Sequence, residues 1–120
     1  VSMPPVTLDD LGGNIRGLIC PNCGETYLHQ TDVAIFDRVE DGDQVKVTTI
    51  TEDGVHEAVI ANDVSLNPSS RRHGLRISFW CEHCDGGLTD EERENGVTSN
   101  QVPDLAIYQH KGITFIEWVK

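Results

Sequence analysis

The chain has 120 residues, and its 9 Lys and Arg against 20 Asp and Glu give a formal net charge of −11, which excludes a generally basic nucleic-acid coat. One domain fits that length, and 38% hydrophobic but only 6% aromatic residues, with a mean hydropathy of −0.32, leave its core thin. No apolar run approaches the roughly 20 residues of a membrane-spanning helix and no basic stretch precedes an apolar signal core, so a cytoplasmic setting with no membrane partner is expected.

In chain order, residues 1–13 carry two prolines, an Asp pair and a Gly pair and read as an arm or linker, leaving 14–120 as a single β domain. Gly17-Leu18-Ile19 leads into Cys20-Pro21-Asn22-Cys23-Gly24, and the segment from Thr26 to Gln30 is short and aromatic. Val33 to Val39 predicts a strand ended by Glu40-Asp41-Gly42-Asp43. Gln44 to Thr51 alternates as a half-exposed strand, Glu52-Asp53-Gly54 turns the chain, and Val55 to Ile60 completes a meander. Residues 62–74 are polar and read as a loop. Arg71, Arg72 and Arg76 place three of the nine basic residues within six positions there. They are candidate contacts for a phosphate or a partner's carboxylates, unless they pair with the chain's own acids.

Leu75 to Trp80 alternates as a strand and runs into Cys81-Glu82-His83-Cys84-Asp85-Gly86-Gly87. Beyond it, 85–104 is acidic, with Thr89-Asp90-Glu91-Glu92 matching the capping-box pattern of one short helix. Too little apolar surface follows to anchor that stretch, so a mobile acidic loop is expected. Leu105 to Gln109 and Ile113 to Val119 flank His110-Lys111-Gly112 as a hairpin, and apolar residues at both parities predict that it is central and covered on both faces. Trp80 and Trp118 are expected in the core. The fold class is therefore mostly β: an antiparallel meander, two knuckles and a C-terminal hairpin.

All four cysteines fall in two CxxC pairs, with residues 24–80 between them. A two-residue spacer lets one tight turn present both sulfurs to a tetrahedral ion, so Cys20, Cys23, Cys81 and Cys84 read as the ligands of one structural metal ion. Zinc is the expected ion, with iron the alternative that four thiolates leave open. Disulfides within adjacent CxxC pairs are strained, and thioredoxin-like redox chemistry needs a helix after its first cysteine, for which Asp85-Gly86-Gly87 is a poor opening turn. The later glycines of the second pair predict a looser turn. His83 points to solvent on this reading, and His29 and His110 make a second site only if the strand leaving the first knuckle pairs with the C-terminal hairpin. His56 and His73 show no ligand spacing. A closed four-thiolate site generates no metal-bound nucleophile, and no nucleophile motif, phosphate loop or HExxH is present, so the chain does not read as an enzyme. Four thiolates and one divalent ion take the formal charge from −11 to −13.

Cys20, Cys23, Gly24, Cys81 and Cys84, with the strands adjoining them, resemble the zinc-ribbon and rubredoxin-like class, although the separation of the knuckles exceeds the usual ribbon spacing. More broadly, CPNCG with Tyr27-Leu28-His29-Gln30, Asn67-Pro68-Ser69, Phe79-Trp80-Cys81, and Tyr108-Gln109-His110-Lys111-Gly112 with Thr114-Phe115 look like a group of small uncharacterised zinc-ribbon-like proteins of actinobacteria and their phages. That resemblance implies a zinc-bound β fold in a bacterial cell or a phage-infected host, and no specific activity. The long acidic stretch after Cys84 departs from the group. Three functions are compatible with these features. The first is a zinc-stabilised module that binds a protein partner; the second is a nucleic-acid-binding ribbon using Arg71, Arg72 and Arg76. The third is an acidic inhibitor that mimics nucleic acid toward a host protein.

Overall fold

The computed structural model describes residues 3–86, 89–96 and 102–120, and the chain is mostly β. Leu8–Asp10 (β1) and Arg16–Leu18 (β2) pair as a small antiparallel hairpin. Six further strands, Leu28–Asp37 (β3), Gln44–Thr51 (β4), Gly54–Ala61 (β5), Gly74–Cys81 (β6), Asp104–His110 (β7) and Ile113–Val119 (β8), form one antiparallel sheet in the order β5-β4-β3-β6-β7-β8. Two single helical turns, Glu82–Gly86 (α1) and Asp90–Glu94 (α2), follow β6.

The expected meander is β3 to β5, but β3 starts earlier than its apolar run. A bulge between Gln30 and Val33 carries the ladder past Thr31 and Asp32, so the segment from Thr26 to Gln30 is largely the beginning of that strand. The C-terminal hairpin is not central: β8 is an edge strand, and its first five residues are exposed. Its apolar residues at both parities mark two partly open faces, because β6 occupies the middle of the sheet against β3. The expected arm is also tied in. It contains β1, and Met3 and Val6 pack against the core.

The main buried cluster gathers at the knuckle end of the sheet, with Cys20, Cys81, Val102, Leu105 and Trp118 and with Leu18, Leu28, Ile77 and Phe79 packed around them; Phe36, Val45 and Ala106 are buried outside it. Phe79 meets Trp118 edge-on at 6.0 Å between ring centroids. Trp80 lies outside the core, 39% exposed, with its ring 4.9 Å from that of His29. In a strand ending on a core cysteine at 81, alternation sends position 80 to the opposite face. Val102 anchors the end of the acidic stretch expected to be mobile; of that stretch, residues 87–88 and 97–101 lie outside the described residues. The capping box forms as the sequence pattern predicts: Glu92 N–H donates to Thr89 Oγ1 at 3.1 Å, and Thr89 N–H donates back to Glu92 Oε1 at 3.3 Å.

Away from the core the sheet is sparsely covered. The Cα radius of gyration is 16.3 Å, against ~13.6 Å for a compact domain of this length. Residues 62–73 cover part of one face as a loop knitted by side chains. Asn67 Nδ2 donates to the Arg72 carbonyl at 2.9 Å, and Ser69 Oγ accepts from the backbone N–H of Arg71 at 3.3 Å and Arg72 at 3.0 Å. This loop lies directly on Gly74, where an added Cβ would stand 2.6 Å from Pro68 Cδ. Gly74→Ala is therefore expected to destabilise the fold by about 1–3 kcal/mol, the usual range for overpacking, as a lowered midpoint in urea unfolding; an unchanged midpoint would show the loop free to lift.

Candidate metal centre

The first CxxC precedes β3 and the second closes β6. These strands are antiparallel neighbours with Leu28 opposite Cys81, so the start of one and the end of the other share one end of the sheet. Residues 24–80 thus make a long excursion that returns its second knuckle to the first. A direct tie completes the closure: Glu82 N–H donates to the Tyr27 carbonyl at 3.0 Å.

Each knuckle has its own local cause. In the first, Gly24 N–H donates to the Cys20 carbonyl at 2.9 Å and Cys20 N–H to the Glu25 carbonyl at 2.8 Å. Gly24 sits at φ 81°, a conformation that glycine reaches without steric cost. In the second, Glu82–Gly86 forms one helical turn where a looser turn is expected from the glycines. The turn carries Cys84 back toward Cys81, and Cys84 N–H points at Cys81 Sγ at 3.4 Å. Cys81 therefore does precede helical backbone, and what separates this site from a dithiol redox pair is the arrival of the other two sulfurs.

All four Sγ atoms lie within 4.8 Å of one another, with Cys23 and Cys81 at 3.5 Å and Cys20 and Cys84 at 3.9 Å. The shorter pairs cross between knuckles, and all four thiols are free of disulfides. Thiolates ~2.3 Å from a common ion stand ~3.8 Å apart in a tetrahedron, so the cluster has the dimensions of a four-thiolate metal site. Cys20 and Cys81 are buried and Cys23 and Cys84 half-buried, which shields the centre. Among the described residues these four alone make such a cluster. Burial pushes the Cys23 and Cys84 thiols above their ordinary range. It opposes ionisation of Cys81 as well, but hydrogen bonds from the Cys84 amide and the neighbouring sulfurs outweigh it and bring Cys81 below. One thiolate is thus favoured before any ion arrives, and Cys23 and Cys84 need the ion's charge to ionise.

The histidines stay outside. His83 is exposed. His29 reaches Glu82 at 3.2 Å, whereas His110 contacts Ser70 at 3.4 Å at the far end of the sheet, so they form no shared site. β3 pairs with β4 and β6, and the C-terminal hairpin is not its neighbour.

The three arginines separate. Arg76 lies on β6, held by Asp104 at 2.9 and 3.1 Å and by the Leu66 and Lys120 carbonyls at 3.2 and 3.0 Å. Arg71 and Arg72 project from the loop and share the Glu40 carboxylate at 2.7 and 2.8 Å. Asp41, 3.3 Å away, does most to hold Arg71 in its charged form. The turn of His110 and Lys111 comes to the same place. Nothing in sequence spacing joins residues 40, 71 and 110; only the strand order does.

Because burial keeps Cys23 and Cys84 protonated without an ion, ion uptake releases protons and affinity falls as pH falls. Chelator should therefore unfold the protein at lower concentration at pH 6 than at pH 8, followed by circular dichroism; the reverse order would contradict the site. Cys23→Ser or Cys84→Ser is expected to leave an unfolded or insoluble chain, since binding free energies of about 10 kcal/mol for a structural ion match the whole net stability of a domain. A folded, metal-free Cys84→Ser protein would show that the ion is dispensable.

No described helix is long and apolar enough to cross a membrane. Comparison with protein-family models, curated proteins and solved structures found no match.

Proposed function

We propose that this chain is a protein-interaction module whose fold is held by one structural zinc ion at Cys20, Cys23, Cys81 and Cys84. Zinc is the usual occupant of closed four-thiolate structural sites, and free thiols suit a reducing cytoplasm, such as that of a bacterial cell or a phage-infected host.

The observation that carries the interaction reading is the unfinished half of the sheet. The register sets Val33 opposite Ile50 and Ile50 opposite Val55, so these residues share a face, and alternation adds Ile35 and Val59. Ile35 and Ile50 are 43% and 44% exposed, and Val55 and Val59 are 65% and 63% exposed. No other element of the described chain packs there. β5 also presents an eight-residue edge without proline, the kind of edge that pairs with another chain unless blunted. The Lys46–Glu57 ion pair, at 3.5 Å, crosses this face between Val55 and Val59, so the apolar patch is centred on Val33, Ile35, Ile50 and Val55, and exposed apolar surface of this kind marks interaction sites. Nucleic-acid binding is the weaker reading, because the three arginines do not form one surface, Arg76 being turned onto Asp104, and a long polyanion meets a net charge of −11 along its whole length.

Two measurements test this. Elemental analysis should give one zinc per chain in a colourless preparation; a red, visibly absorbing protein would replace zinc by iron. Affinity capture from host lysate should recover a partner with the native chain and lose it with Ile50→Asp plus Val55→Asp, at unchanged zinc content and circular dichroism. Retention of the partner by that variant would remove the apolar face from the reading. Retention together with loss in added salt would favour the acidic mimic.

A further inference from the structure

The end of the sheet opposite the knuckles is built from the β3–β4 turn, the loop before β6 and the β7–β8 turn. Together they enclose a pocket of about 280 Å³, lined by Glu40, Arg71, Arg72, His110 and Lys111. Three of the chain's nine Lys and Arg residues face one small cavity on a protein of net charge −11. Inside it, a single carboxylate, Glu40, takes a hydrogen bond from each guanidinium, at 2.7 Å from Arg71 and 2.8 Å from Arg72. Two guanidiniums converging on one group with several acceptor oxygens is the geometry by which arginines hold a phosphate.

Lys111 adds a second, independent observation. It occupies the first position of the two-residue turn between His110 and Ile113, with φ 51°, followed by Gly112 at φ 77°. Such turns favour Asn, Asp or Gly at that position, because a longer L side chain is strained at positive φ. A lysine stands there against that preference and lines the same pocket as the two arginines.

We propose that this pocket binds a small phosphate monoester, with Glu40 occupying the place of the phosphoryl group until the ligand displaces it. With Glu40 swung out, Arg71, Arg72 and Lys111 against Asp41 leave two positive charges in excess, which match the nearly doubly charged phosphoryl group at neutral pH. Displacement is cheap: Glu40 and both arginines are about half exposed, and exposed ion pairs hold weakly. The polar imidazole of His110, 3.4 Å from Ser70 Oγ, borders the space beside the guanidiniums. The size of the cavity suits a phosphoryl group with a short organic portion, smaller than the ligands of most drug-sized pockets. This site lies apart from the open apolar face and does not rest on the interaction reading.

The test is titration of the metal-loaded, isotopically labelled chain with inorganic phosphate at low ionic strength, followed by amide chemical shifts, with chloride as the ionic-strength control. Saturable shifts confined to residues 40–41, 70–72 and 109–112 are expected. Glu40→Gln, which removes the competing charge, should tighten binding at least threefold. Lys111→Asn should weaken it at least fivefold while leaving the thermal midpoint unchanged or raised, since Asn suits the turn better. Parallel titrations with glycerol phosphate and a nucleoside monophosphate identify the organic portion by which one binds more tightly than phosphate itself. Absence of saturable shifts at these residues would overturn the proposal, as would weaker or equal binding by Glu40→Gln or unchanged binding by Lys111→Asn.

Discussion

Four sulfur atoms, two placed ahead of β3 and two at the end of β6, have to come within 4.8 Å of one another, and the order of the sheet follows from that demand. Two chain segments that must meet at one end, and that are strands on either side of the meeting, are most simply antiparallel neighbours. Once β6 takes one edge of β3, only the other edge is open to β4, and β5 must continue outward beyond it. The C-terminal strands can then add only outside β6. The sheet order β5-β4-β3-β6-β7-β8 is therefore the pattern that a four-thiolate centre imposes on a chain with a hairpin between its knuckles and a hairpin after them.

The same centre explains how so little apolar material holds the protein. The main core cluster contains two of the four cysteines, and the other two pack against it. Hydrophobic burial and metal ligation are consequently one cluster and not two separate supports. Burying sulfur that has to ionise is unfavourable in itself, which is visible in the raised Cys23 and Cys84 thiols. A divalent ion bound there would reverse the sign of that contribution, making the least favourable groups of the core its strongest connection.

How far the sequence discloses this depends on the range over which each signal acts. The CxxC pairs are legible because two-residue spacing is a local property with few other uses. The β3–β5 meander is legible because its turns carry Asp and Gly where the backbone needs them. The capping box is legible because Thr89 and Glu92 lie within one helical turn. Where an element sits in the sheet is not a local property. The apolar parity of Ile113 to Val119 is the same for a buried centre and for a partly covered edge, and only the pairing of β6 with β3 decides between them. The bulge at Thr31 and Asp32 hides the first half of β3 for a related reason, since it breaks the alternation by which a strand is recognised. The grouping of Glu40, Arg71, Arg72 and Lys111 escapes for the strongest reason, because three turns far apart in sequence meet only when the strand order is known.

Stability is accordingly graded along the sheet. Next to the knuckles, residues 28–30 of β3 pair only with 79–81 of β6 and rest on the cysteine-bearing core, while β4 and β7 join farther along, at 33–37 and 74–77. At the opposite end, Phe36 and Val45 are buried, and exposed ion pairs with the side-chain bonds of the 62–73 loop add to that packing, pairs of that kind contributing little. The β4–β5 wing is the least supported: β5 has one neighbour, and seven of its eight residues are exposed. Local opening free energy falls where few buried contacts back the backbone hydrogen bonds, so β5 frays before the half that carries the cysteines does. Val33, Ile50 and Val55 lie on the same face as Ile77, which packs against the core, so a partner covering them would continue that core outward over β4 and β5, and docking there would complete the packing that the chain leaves unfinished.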